Sequence, residues 1–330
     1  MKWFEKLAGF VEKTPQQVRQ NITITENILN SRVNGSSYKC GILTTPSLAD
    51  LRRMVLSNEG FEGTLSLCET IADVQTLHKD EKNAGALIQV ASQFNLLEMI
   101  SPSAIPEEGV TKYENDPTQG PACAIAAGAG TIYRNYFVRV NGEIGQSVDN
   151  QIDCLADIGI ALGNIDNQLW EMKNGYALAT TEGLKEIKNN LERCTEIERD
   201  GIRQLLRIGI QTNTEVTIGS SAHAVTQAFC SALPIAYNKQ PLGLWSPFAQ
   251  LILEASYEAT ICAAILNSEA TGNSKVFLTL VGGGVFGNNI KWILAAIRRS
   301  IDLYRHFNLD VAIVSRGHSN KYVQELITSY

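Results

Sequence analysis

Two stretches hold the residue types best suited to chemistry. The first runs from Val276 to Ser315 and contains Gly282, Gly283, Gly284, Val285, Phe286, Gly287 and Asn288. Val276–Val281 is a continuous apolar run, as expected of a buried strand, and a helical pattern follows the glycines through Trp292, Ile293, Ala296, Ile297 and Ile301. Glycines between a strand and a helix expose backbone N–H groups near the positive end of the helix, which suits a phosphate or diphosphate. The second stretch, Ile100 to Gly130, is a long loop rich in Pro, Gly and polar residues. It and its approach carry the acids Glu98, Glu107, Glu108, Glu114 and Asp116. A polar run of this kind between ordered elements marks a functional loop.

These residues must be held by a sizeable fold. At 330 residues, with 44% apolar and 19% charged residues, the chain can bury a large core. A net charge of −6 argues against nucleic acid as a partner. No window of about 18 uncharged apolar residues occurs, so no membrane partner is expected. The seven cysteines are scattered without a C-x-x-C pair, as expected of reduced thiols in a cytoplasmic protein. The four histidines lack metal-ligand spacing, so neither a His/Cys metal site nor a cofactor is expected; a metal held by carboxylates stays open.

The periodicities predict short strands at Thr64–Cys68, Ala86–Ala91, Tyr133–Val140, Ile208–Ile218, Ala222–Tyr237 and Leu309–Ser315, and a helix over Phe248–Leu266. Residues 1–60 are expected to be a mostly helical extension, with Ser47 capping a helix. Residues 149–207 are expected to be a helical insertion on a single domain spanning 1–330, and Asn141-Gly142 is a hairpin signal. Ala122–Gly130 contains only small residues and Ile, which let a helix approach its neighbours closely.

Gly282, Gly284 and Gly287 satisfy G-x-G-x-x-G literally. A nicotinamide-dependent oxidoreductase needs that motif on its first strand and an acid at the end of the second. Here only about 15 residues follow Ser315, and Asp302 and Asp310 precede the second strand, so this alternative is the weaker one.

The segment GGGVFGNNIKWILAAIRRSI resembles the second substrate loop of macrodomains, which wraps the diphosphate of ADP-ribose. Upstream, Ala72-Asp73-Val74-Gln75 and Ser92-Gln93-Phe94-Asn95 stand where macrodomains carry Gly-Asp-Ile-Thr and Asn-Ala-Ala-Asn. Ala72 replaces the Gly and Ser-Gln-Phe replaces Asn-Ala-Ala, so the distal ribose site departs from that of common macrodomains. QVASQFNLLEM, PEEGVTKYENDPTQGPACAIAAGAGTIYRNY, RIGIQTNTEVT and CSALPIAYN extend the likeness to the MavL-type arginine-specific macrodomain hydrolases over most of the chain.

The resemblance implies an α/β fold, three-layer and macrodomain-like, with a mixed central sheet and an inserted helical lobe. It also implies a hydrolase that removes ADP-ribose from arginine side chains, with ADP-ribose and an ADP-ribosylated protein as partners. A reader module that binds ADP-ribose without hydrolysis is the alternative. Asp73 would accept from the adenine amino group, and Gln93 and Asn95 would sit beside the distal ribose. Thr118 and Gln119 would contact ribose or phosphate, and residues 282–288 would hold the diphosphate.

Breaking the glycosidic bond passes through an oxocarbenium-like state that a carboxylate stabilises while activating water. Asp116, in a turn-rich segment, is the first candidate. Glu98, one helical turn from Asn95, is the second. Phe286 would stack near a ribose or plug the base of its loop. Arg134 and Asn135 would support the loop from behind, Tyr237-Asn238 would pack in the core or line the adenine side, His223 reads as a strand residue, and Cys123 lacks the partner a nucleophile needs.

Overall fold

The computed structural model describes residues 1–57, 63–220 and 222–330. Its strands in chain order are β1 Ile22–Thr25, β2 Ile28–Ser31, β3 Ser37–Lys39, β4 Ile42–Thr44, β5 Ser66–Ile71, β6 Leu87–Ala91 and β7 Arg139–Val140. They continue as β8 Glu143–Ile144, β9 Trp170–Lys173, β10 Tyr176–Ala179, β11 Gly209–Glu215, β12 Ala224–Cys230, β13 Lys275–Leu278 and β14 Asp310–Ser315. Seven of them form a mixed central sheet in the order β4-β11-β12-β6-β13-β14-β5. The pairs from β12 through β6, β13 and β14 to β5 are parallel, and β4-β11 and β11-β12 are antiparallel.

Strand alternation divides the helices between the two faces. From β6 the Gln89 side chain reaches Thr260 on the 30-residue helix Leu242–Thr271. From β12, Gln227 points to the other face, where it donates to the Cys123 carbonyl of helix Gln119–Ala126. The result is the expected three-layer α/β/α arrangement with a mixed sheet. Helix Leu242–Thr271 is long and apolar enough, by length and composition, to cross a membrane, although Glu254 and Glu258 interrupt its apolar run; 83% of its most apolar window is buried inside the fold.

Several expected elements change type. Of the expected helical extension over 1–60, residues 58–60 lie outside the described residues, and 1–57 are not mostly helical. After two short helices, Trp3–Ala8 and Pro15–Asn21, the chain forms an antiparallel sheet, β1-β2-β3. Glu26 and Asn27, at φ 51° and 64°, make the two-residue turn that lets Ile22–Thr25 pair with Ile28–Ser31. The expected cap is present: Ser47 accepts from the Asp50 N–H, and Asp50 returns a bond to the Ser47 N–H.

The first half of Tyr133–Val140 is helix, the end of Gly128–Tyr136, and only Arg139–Val140 is strand. The i,i+3 and i,i+4 spacing of Ile132, Asn135 and Tyr136 gives that helix its buried face. Residues 149–207 are not helical throughout. They hold helices Ala156–Leu162, Thr181–Arg193 and Glu196–Arg203 together with the β9–β10 hairpin. Asn174-Gly175, both at positive φ, forms the hairpin's turn. The Asn141-Gly142 hairpin expected from sequence joins β7 to β8.

The sheet opens at one point. β13 pairs with β6 only at Val276↔Leu87 and Phe277↔Ile88, whereas it stays with β14 as far as Leu278↔Ile313. Past that point the β6 backbone needs new partners, because buried peptide groups are rarely left unpaired. The Gln119 side-chain amide supplies them: it accepts from the Ala91 N–H at 2.9 Å and donates to the Gln89 carbonyl at 2.8 Å. Gln89 Oε1 in turn accepts from the Thr279 N–H at 3.1 Å. The gap between the carboxyl ends of parallel strands is where open α/β sheets place their ligands.

Gln89→Leu keeps the volume of this fully buried side chain but leaves the Thr279 N–H without an acceptor. It is expected to lower unfolding free energy by about 1–3 kcal/mol in denaturant titration. An unchanged midpoint would show that the amide does not hold the two sides of the gap.

Candidate active site

The gap between β6 and β13 leads into a cavity of about 390 Å³. Its floor is the end of β6 with Ser92 and Gln93. One wall is Glu98, Met99 and Ile100 with Asp116–Pro121, and the other is Thr279–Gly282 with Gly284, Val285 and Phe286. Tyr176 and Tyr237 close the aromatic end.

The glycine segment forms the second wall as a closed loop. Gly283 N–H donates to the Leu280 carbonyl, Gly287 N–H to Gly284, and Asn288 N–H to Gly282. Gly282 and Gly287 turn the chain at φ 74° and 72°, a region that favours glycine. Among the described residues, the N–H groups of Gly282, Gly284, Val285 and Phe286 have no acceptor in the protein. These four residues are also the ones that line the cavity. Converging free N–H groups make a nest for an anion. The nest does not rest on a helix N-terminus, as the sequence suggested. Helix Ile290–Leu303 starts later and is capped by Asn289, whose side chain accepts from the Lys291 N–H.

Glu98 is the most unusual group in the wall. The residue is 2% exposed, and among the described residues Oε1 has no hydrogen-bond partner. Gly120 permits this close packing, since a Cβ there would stand 2.1 Å from Glu98 Oε2 and from the Ala91 carbonyl. Burial pushes the Glu98 carboxyl well above the usual carboxylate range; Arg134 opposes the shift and Asp116 adds to it. Arg134, itself fully buried, spends its guanidinium on neutral acceptors. It donates to the Leu96 carbonyl, Gln211 Oε1 and Thr131 Oγ1, and lies 3.9 Å from the centre of the Phe229 ring. Burial lowers it to about 10, which leaves it charged at neutral pH.

Asp116 is half-buried and accepts from the Thr118 N–H at 2.8 Å, an Asx turn that leads into helix Gln119–Ala126. Both candidate carboxyls therefore face one cavity, in different surroundings. The reason given for Glu98 does not hold, however. Residues 92–99 form an irregular turn with Leu96 at φ 63°, so Glu98 is not one helical turn from Asn95.

The other expected residues divide. Gln93, Thr118, Gln119, Gly282, Gly284, Val285 and Phe286 line the cavity. Gln119 uses its amide on the β6 backbone, and Gln93 Oε1 accepts from the Met99 N–H. Asn95 does not line the cavity. It is fully buried behind it, donating to Gln151 and accepting from the Leu97 N–H. Gly283, Gly287 and Asn288 stand behind the nest, and Asn288 donates to the Leu233 carbonyl.

Asp73 lies outside the main cavity, where it caps helix Val74–Lys79 by accepting from the Gln75 N–H. It lines an adjoining cleft with Val314 and Arg316, which shares Pro117, Thr118, Gln119 and Thr279 with the main cavity. Of the remaining acids, Glu107 holds the Val148 N–H, Glu108 pairs with Lys112, and Glu114 with Lys2. Phe286 packs against Tyr176 and Tyr237, with ring centres 5.3 and 5.7 Å away. Among the described residues no group of three or more His, Cys, Asp or Glu is placed to hold a metal ion.

Sequence reasoning missed Tyr176, because its Asn174-Gly175 turn lay inside a stretch read as helix. It also missed Arg316, whose guanidinium donates to the Pro117 carbonyl across the cleft.

The raised Glu98 carboxyl has a consequence for stability. The folded protein keeps this proton at pH values where the unfolded chain has lost it. The contribution of this one group to stability is therefore fully present below about pH 4, near the ordinary glutamate value, and is lost as pH rises toward the folded value. Glu98→Gln removes the titration, so its denaturant midpoint is expected to exceed the wild-type midpoint at pH 8, with the difference closing toward about pH 4. A difference independent of pH would contradict the buried-acid assignment.

No family model and no curated protein matches the sequence. Among solved structures, the chain is similar to poly(ADP-ribose) glycohydrolase of Thermomonospora curvata bound to the inhibitor ADP-HPD, with a TM-score of 0.47 and 8% identity over 95% of each chain. It is also similar to poly(ADP-ribose) glycohydrolase of Deinococcus radiodurans in complex with ADP-ribose, with a TM-score of 0.44 and 10% identity over 96% of this chain and 95% of that one. Likeness at this level carries no argument about activity, which has to rest on the cavity itself.

Proposed function

We propose that the protein hydrolyses the glycosidic bond between ADP-ribose and an arginine side chain of a modified protein. The observation that carries this reading is that four residues with free N–H groups line one cavity together with Glu98 and Asp116, two carboxyl residues in unlike surroundings. The N–H groups of Gly282, Gly284, Val285 and Phe286 hold the diphosphate. The adjoining cleft at Asp73 takes the adenine, and the distal ribose enters beside Glu98 and Asp116. The arginine resemblance in the sequence points the same way.

The two carboxyls divide the chemistry. Asp116 stabilises positive charge at the anomeric carbon and takes a proton from the attacking water. The C–N bond breaks as the water oxygen bonds to the anomeric carbon. The guanidine that leaves takes the Glu98 proton and departs as guanidinium. The proton on Asp116 then returns to Glu98 through solvent. Raising one carboxyl by burial while leaving its neighbour more solvated is how a site keeps an acid and a base together.

The charge of the cavity favours arginine over a polymer of ADP-ribose. Among the described residues lining it are two carboxyls and no Lys, Arg or His. A cationic guanidinium suits such a wall with its aromatic end, whereas the extra phosphates of a polymer do not.

The test is release of ADP-ribose from arginine-modified protein by the purified chain, beside poly(ADP-ribose) as an alternative substrate. Release from arginine is expected, with Glu98→Gln slower by about 10²- to 10⁴-fold and the wild-type rate falling on the alkaline side. Binding of ADP-ribose without release would make the protein a reader, and release from polymer alone would overturn the arginine assignment.

A further inference from the structure

The β9–β10 hairpin belongs to the 149–207 insertion, and its tip is fastened to the loop that carries Glu98. Gly175, at φ 80°, packs so closely that a Cβ would stand 2.5 Å from Asn95 Oδ1 and 2.6 Å from the Gln93 Cβ. The Gly175 carbonyl accepts from the Phe94 N–H at 3.0 Å. Asn174, nearly fully buried, donates to the Pro102 carbonyl at 2.8 Å and accepts from Gln151, which in turn accepts from Asn95. The Tyr176 hydroxyl donates to the Met99 carbonyl at 2.6 Å, one residue past Glu98.

The loop needs such a fastening. Residues 92–99 have no regular structure, and Leu96 sits at φ 63°, which costs a side-chain-bearing residue energy unless its surroundings enforce it. On the other side, Arg134 holds the Leu96 carbonyl and the Tyr113 hydroxyl accepts from the Glu98 N–H. The hairpin tip thus closes a ring of contacts around Glu98.

We infer that Asn174, Gly175 and Tyr176 are positioning residues that hold the Glu98 carboxyl dry and aimed into the cavity, so that the insertion completes the active site. This rests on the reading of Glu98 as the acid. The groups that face Glu98 are Arg134 from helix Gly128–Tyr136, Asp116 from the loop, Tyr113 from the turn Thr111–Asn115, Cys123 from helix Gln119–Ala126, and Tyr176 from the hairpin itself. Tyr176→Phe alters the last of these directly, whereas Asn174→Gly alters none of them, so a shift common to both variants reports the fastening. Loosening the tip admits water to Glu98 and moves its titration back toward that of an ordinary glutamate.

The experiment follows the Glu98 carboxyl by ¹³C NMR through a pH titration of the full chain, as wild type, Tyr176→Phe and Asn174→Gly, alongside turnover of arginine-linked ADP-ribose. Tyr176→Phe keeps the ring packing and removes one hydroxyl. Asn174→Gly keeps the backbone turn and removes both side-chain bonds. In both variants Glu98 is expected to titrate at lower pH, and kcat to fall about ten- to a hundredfold with KM little changed. A Glu98 titration identical to wild type in both folded variants would overturn the inference. A shifted titration with unchanged kcat would support the positioning role while removing Glu98 from the chemistry, which separates this inference from the proposed function.

Discussion

The structure depends on where β6 and β13 part. Two residue pairs join them, and then the sheet opens. The backbone groups freed on β6 are bonded by the Gln119 amide, and the Thr279 N–H is bonded by Gln89. Because these bonds come from side chains, the gap can stay open without buried unpaired peptide groups. Gln119 also starts the helix whose Gly120 packs against Glu98, so the same substitution of side chain for strand places the acid. On the far side, the chain beyond Thr279 is free to fold back on itself as the glycine loop.

The electrostatics follow from that geometry. Glu98, in the irregular turn 92–99, is packed against Gly120, with a buried oxygen that no group among the described residues satisfies. A charge there would be costly to keep, so the proton stays. Arg134 does not cancel the effect, because its donors are committed to Leu96, Gln211 and Thr131. Asp116, which accepts from the Thr118 N–H in an Asx turn, is only half-buried. Two carboxyls chemically alike in the sequence thereby acquire different burial in the fold, Glu98 2% exposed and Asp116 half-buried.

Much of this was legible in the residues, for reasons that can be named. The apolar runs at Leu87–Ala91 and Asp310–Ser315 are buried parallel strands, and such strands announce themselves by composition. The glycine loop and the long acidic loop were found because Gly, Pro and Asp carry local conformational preferences. The assignments that depend on distant partners were not legible. Gln119 looked like a ligand contact, yet its amide replaces a strand. Asn95 looked like a ribose contact, yet it is a buried brace tied to the insertion. The Asn174-Gly175 turn was lost among flanking helices, although Asn-Gly is a strong hairpin signal, and with it went Tyr176. The order of preference between Asp116 and Glu98 depended on burial, which neither residue's sequence neighbours disclose.

The central claim is that the nest of Gly282, Gly284, Val285 and Phe286 and the buried Glu98 address the two ends of one ligand. A crystal structure of the protein with ADP-ribose bound tests it most directly. The account predicts diphosphate oxygens on the N–H groups of Gly282, Gly284, Val285 and Phe286, with the anomeric carbon of the distal ribose between the carboxyls of Glu98 and Asp116. A ligand whose distal ribose points away from Glu98, with its diphosphate held outside the nest, would contradict it.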